Sequence, residues 1–202
     1  WVHHHNDAGH TTFPIAQGQY GADNITEPKD ISWHKNSRLA TSYFAAPSKY
    51  DFFGGYDYTK DCGVLHIANH HISPGKKMWH WGMGDFGDMW CSNLTDNNGP
   101  YIELMTGVYT DNQPDFTWLA PYESREFEQY WYPVRDIGNV VNASVDACMN
   151  MEQRNHCVFL GFNVTGSFPG AVITLRDKGQ ILYRQELDMV PEESWCKEIP
   201  LE

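Results

Sequence analysis

From Val140 onward, apolar and polar residues alternate along the chain with a period of two, and the first sixty residues contain no helical repeat of apolar positions. A period of two belongs to a half-buried strand, because successive side chains leave it on opposite faces. Val158, Leu160, Phe162 and Val164 fall on one face, and Phe159, Gly161, Asn163 and Thr165 on the other. Residues 171–175 and 181–187 read as a hairpin turning through Asp177-Lys178-Gly179, where Gly179 supplies a positive φ. Upstream, 62–68, 78–81, 101–106 and 127–134 read as short strands between turns such as Ser73-Pro74-Gly75 and Gly99-Pro100. Residues 1–60 are aromatic and rich in turn signals. Gly82, Gly84 and Gly87 are expected to loosen the backbone around Asp85 and Asp88. The expectation is an all-β chain of many short strands. A change of character near Gly138 divides it into 1–138 and a small β-sandwich at 139–202.

Charge narrows the function. Fourteen Lys and Arg stand against 26 Asp and Glu, a net charge of −12. A nucleic-acid partner needs a basic patch to displace counterions, so it is excluded, and an anionic membrane surface is disfavoured. No apolar run approaches the ~20 residues that span a bilayer, so no membrane insertion is expected. Aromatic residues make up 14% of the chain although it is polar on average. Flat rings among carboxylates suit sugars, whose C–H faces stack on aromatics while their hydroxyls seek acids and amides. The five cysteines have no CxxC or CxxH spacing, so neither a metal nor a cofactor is expected. Cys148 and Cys157 either bridge a loop in an oxidising compartment or, the better reading, are ordinary thiols. Four N-x-S/T sequons, at Asn24, Asn93, Asn142 and Asn163, leave the compartment open. Trp1-Val2 reads as the middle of a strand, which suggests a portion of a longer polypeptide.

The segment from Trp79 to Trp90 is the most unusual. Trp79, Trp81 and Trp90 alternate with glycines and with Asp85 and Asp88, a composition suited to a sugar platform beside hydroxyl acceptors. The alternative is that at least one of these rings is core. Glu103 sits mid-strand on the face of Tyr101, opposite Ile102 and Leu104. A carboxylate there either lines a cleft, where burial favours a general base, or makes a cross-strand ion pair. Gly82-x-Gly84-x-x-Gly87 has the letters of a dinucleotide fingerprint without the flanking βαβ unit.

These residues carry a resemblance. Trp79-His80-Trp81-Gly82, the run from Asn93 to Gly107, Gln113, Leu119-Ala120-Pro121 and Tyr130-Trp131-Tyr132-Pro133 resemble the DUF5107 family. The resemblance implies a galactose mutarotase-like super-sandwich over residues 1–138, and strands before Trp1 that this chain lacks. More distantly, Glu103 with Gln113-Pro114-Asp115, Leu119-x-Pro121 and Tyr130 is similar to the aldose 1-epimerase pattern, in which a glutamate is the base. In the epimerases that Glu and Gln are almost adjacent, whereas ten positions separate them here. Their acid histidine has a loose counterpart only in His3 to His5.

The leading expectation is a carbohydrate-recognising domain of a multidomain bacterial protein of glycan metabolism. Trp79, Trp81, Trp90, Tyr101, Asp88 and Gln113 would hold the sugar. One alternative is an enzyme, an epimerase or a glycosidase, with Glu103 as base and His80 and Asp85 as further catalytic candidates. A glycosidase would draw its second carboxylate from Asp85 or Asp88. Another is a structural or protein-interaction module. The expected partners are a carbohydrate ligand and the rest of a longer polypeptide, or a second copy that completes the sandwich.

Overall fold

The structure, a computed structural model, describes residues 2–4, 10–11, 14–20, 23–45, 48–110 and 116–201. Among these residues the chain is nearly all β. The strands are β1 (Val2–His4), β2 (His10–Thr11), β3 (Ile15–Tyr20), β4 (Asp23–Asp30), β5 (Thr41–Phe44), β6 (Phe52–Asp57), β7 (Cys62–Ile67) and β8 (Lys77–His80). One α-helix among the described residues, α1 (Asp85–Thr95), precedes β9 (Ile102–Met105) and β10 (Tyr130–Arg135). β11 (Asn142–Ala143), β12 (Ala147–Arg154), β13 (Cys157–Val164), β14 (Phe168–Asp177), β15 (Gln180–Met189) and β16 (Trp195–Pro200) complete the order.

Contacts group the chain into two compact units, Trp1–Tyr50 with Asn69–Glu128 and Asp51–Ala68 with Gln129–Glu202. The first is built on an antiparallel sheet in the order β2-β1-β5-β8-β9. One face of it, through Tyr43 and Met78, packs on Ala16, Ile25 and Ile31 of the β3–β4 segment. The other face carries Ser42 and Phe44 of β5, Lys77 and Trp79 of β8, and Glu103 and Met105 of β9.

In the second unit, β6 and β10 flank β7, and β11-β12-β13-β16 form a second sheet opposite the β14–β15 hairpin. Leu160, Val164, Ile173, Met189 and Ile199 make its core, so the face assigned to Val158, Leu160, Phe162 and Val164 is the inward one. Leu65, Val134, Ile137 and Cys148 form a second cluster. Asp177 pairs with Gln180, so the hairpin turns through Lys178 and Gly179, both at positive φ. The hairpin and the positive φ of Gly179 are as expected from the sequence, but Asp177 belongs to the strand and Lys178 also takes a positive φ, which makes a two-residue turn. Asn163, one of the four sequon asparagines, is interior. Its Oδ1 accepts the Arg135 N–H at 2.8 Å and its Nδ2 donates to Ser194 Oγ at 2.9 Å. Cys148 lies beside Asn163 and Cys157 beside Arg154 at opposite ends of the β12–β13 ladder, and all five cysteines are free thiols.

Residues 1–60 hold short strands that pair with distant partners, in keeping with an all-β chain. One local expectation gives way. The glycine-spaced segment after Trp81 is not loose backbone but the start of α1. Gly84, at φ +113°, occupies the N-cap, and Asp85 and Asp88 sit in the first turn, where carboxylates favour the positive end of the helix dipole. Gly87 lets the helix lie against the preceding loop: a Cβ there would come within 2.7 Å of the Gly82 carbonyl carbon and would overlap its oxygen. Because α1 leads into β9, which runs antiparallel to β8, the three glycines do not belong to a parallel βαβ unit.

Candidate functional site

The candidate site is built on β8, α1 and β9, all in the first unit. Strand register sets its centre. Trp79 lies directly opposite Glu103 on one side and Ser42 on the other, so carboxylate, indole and hydroxyl form a row across three strands. One step along the same face, Lys77 lies between Phe44 and Met105. The Tyr101 hydroxyl meets the Glu103 carboxylate, and burial, reinforced by that negative charge, pushes its pKa up. Tyr101 therefore stays a protonated donor. Lys77 is moved the other way: burial pulls its pKa down and the Glu103 charge opposes the shift.

Beside this row, Trp79 meets Trp81 edge-on at 5.0 Å, and Trp81 stacks on Trp90 at 4.6 Å and 13°. Phe86 stands edge-on to both Trp81 and Trp90 and is 58% exposed. The helix thus brings Trp90 and Phe86 back over the end of β8. The indole nitrogens of Trp81 and Trp90 are shielded from solvent and have no hydrogen-bond partner among the described residues. An unsatisfied buried donor costs about 1–3 kcal/mol.

The row and the aromatic cluster both lie within residues 4–134, which match the family model described as a domain of unknown function, DUF5107. The chain belongs to the DUF5107 family. Residues 142–202 match a second model, described as the second domain of a YphG-like protein. No solved structure matches the chain.

Within the DUF5107 portion, the remaining candidate residues divide. His80 follows Trp79 in β8 and so lies on the opposite face from Glu103. It is 1% exposed, its Nδ1 accepts the Gly82 N–H at 3.0 Å, and its ring neighbours are His34 at 5.8 Å and Tyr43 at 5.6 Å. Asp85 and Asp88 are exposed on the first turn of α1. Asp88 acts electrostatically on His34, whose pKa burial lowers while that carboxylate pulls it back up. Trp79, Trp81, Trp90, Tyr101 and Glu103 are brought together. His80 is held on the other side of the sheet, and Gln113 lies outside the described residues.

Sequence reasoning missed Ser42, Lys77 and Phe86. Lys77 was legible in principle, since alternation puts it on the face of Trp79. Ser42 was not, because nothing local says that β5 pairs with β8. Among the described residues, no group of three His, Cys, Asp or Glu side chains is placed to hold one metal ion.

Proposed function

We propose that the DUF5107 portion recognises carbohydrate through the face that carries Trp79 and Glu103, within a protein of glycan metabolism. The observation that carries this reading is the cross-strand row: an indole sits between a carboxylate and a hydroxyl, and a protonated tyrosine meets the same carboxylate. A sugar ring offers a C–H face to the indole and hydroxyls to both sides, and each hydroxyl donates and accepts. The division at residue 138, with a small sandwich beyond it, is part of the same proposal. The test is a glycan panel followed by intrinsic-fluorescence titration. Trp79→Ala should weaken binding of any sugar found by roughly 1–3 kcal/mol, as for an interface hot spot. Absence of any fluorescence response across mono- and oligosaccharides would count against the reading.

The 4.6 Å stack of Trp81 on Trp90 favours a second reading, in which the rings pack each other as core and the segment is a structural module. Glu103→Gln separates these readings and also tests enzyme chemistry. Loss of turnover by ~10²-fold marks a general base, a modest affinity change marks recognition alone, and a lower melting temperature with affinity intact marks structure.

A further inference from the structure

We infer that the second unit accepts a lone extended peptide segment, with apolar side chains at alternate positions, as an added strand beside β14 and over β12. The two layers of its sandwich are unequal: four strands, β11-β12-β13-β16, face the two of the β14–β15 hairpin. Tyr183 of β15 lies 6.3 Å from Trp195, and the Lys197 ammonium is 4.9 Å from the centre of the Tyr183 ring, so β15 covers β16. Its hairpin partner β14 covers β13, with Ile173 in one cluster with Leu160 and Val164. Among the described residues no strand covers the same side of β12. Burial along β12 is accordingly reversed. Cys148 and Asn150, on the side away from the hairpin, are 2% and 4% exposed, whereas Met151, paired with Leu160 and facing the same way, is 49% exposed. A cavity of about 420 Å³ lies between the layers at the first residues of β12 and β14, lined by Ala147, Phe162, Val164, Ala171, Ile173 and Met189.

Strand spacing decides the occupant. Neighbouring strands lie about 4.8 Å apart and stacked sheets about 10 Å apart, so a strand added to the outer edge of β14 comes to rest over β12. That edge is ready to pair. Alternate residues of β14 turn their N–H and C=O groups away from β15, and no strand meets them among the described residues. Exposed edges are usually blunted by lysine or proline, but Ala171-Val172-Ile173-Thr174-Leu175 contains neither and carries no charge. Backbone pairing holds the segment, while Met149, Met151 and the cavity receive its inward side chains. A second copy offering its own β14 does not fit, because it would bring its β13 to where β12 already lies. The occupant is therefore a segment with no second layer beneath it.

The experiment titrates the full chain with a synthetic peptide of alternating valine and threonine, with lysines at both ends, and follows amide hydrogen exchange. Binding should slow exchange in residues 171–175 and leave β16 unchanged. Met151→Gln should weaken binding at least about tenfold, the scale of covering an amide that gains no partner. The same variant should melt with the parent, because Met151 is half exposed in the free chain. The peptide N-methylated at every residue keeps its side chains but has no backbone donors, and it should also bind at least about tenfold more weakly. Unchanged exchange in residues 171–175 with the peptide present would overturn the inference. So would affinity within twofold of the parent for Met151→Gln, or for the methylated peptide. Protection of the same amides that grows with protein concentration in the absence of peptide would mean that a second copy takes this position, and would overturn the lone segment.

Discussion

Replacing Gly87 with alanine sets two physical effects against each other. In a helix, alanine is favoured over glycine by about 0.5–1 kcal/mol, so propensity alone predicts a more stable protein. The structure predicts the reverse. A Cβ on residue 87 would come within 2.7 Å of the Gly82 carbonyl carbon and would overlap its oxygen, and both are backbone atoms that cannot rotate away. The start of α1 must retreat by about an ångström to restore ordinary contact. Retreat loosens the stack of Trp90 on Trp81 and the edge contacts of Phe86. Overpacking of this kind costs about 1–3 kcal/mol, and a rigid backbone neighbour puts it at the upper end. Net of propensity, destabilisation of about 2 kcal/mol is expected, or about 4–8 °C in Tm for a chain of this size. Near-UV circular dichroism should lose intensity in the tryptophan region in parallel, since the 4.6 Å stack is the closest tryptophan pair in the site. An alanine variant that melts at or above the parent, with the near-UV spectrum unchanged, would refute the assigned helix position.

Two further outcomes follow from the second unit. Cys148 is buried, and burial pushes its thiol pKa from 9.0 up to about 11, so the fold retains a proton that the unfolded chain releases first. Stability should therefore fall as pH rises from about 9 to about 11, by at most about 1.4 kcal/mol per pH unit from this group, and Cys148→Ala should flatten that slope in urea titrations. Asn163→Ala removes the acceptor of the Arg135 N–H and the donor to Ser194, and should cost about 1–3 kcal/mol in chemical denaturation; an unchanged midpoint would show that the bridge is replaceable.

The β character of this chain was legible because it rests on local signals. Alternation from Val158 to Val164 names the buried face whatever the partner strand is, and Lys178-Gly179 can turn a hairpin without help from the rest of the chain. The aromatic and acidic content of 79–103 was legible for the same reason, as composition within a short stretch. Partnership was not. Residues 15–44 form strands because Ala16, Ile25 and Ile31 find Tyr43 and Met78, contacts no window of the sequence contains. The helix at Asp85 was hidden because its three glycines signal loose backbone locally. Its support comes from packing, through the close approach of Gly87 to Gly82. His80 and Glu103 look like a pair in sequence, but strand parity and register put them on opposite faces. The pairing of β5 with β8 brings Ser42 beside Trp79 and Phe44 beside Lys77. Residue types and strand period are properties of the chain itself, so the sequence alone determined an aromatic, acidic, all-β protein. Which side chains share a face depends on which strands pair, so only the tertiary structure decided that Ser42, Lys77, Trp79 and Glu103 form one surface.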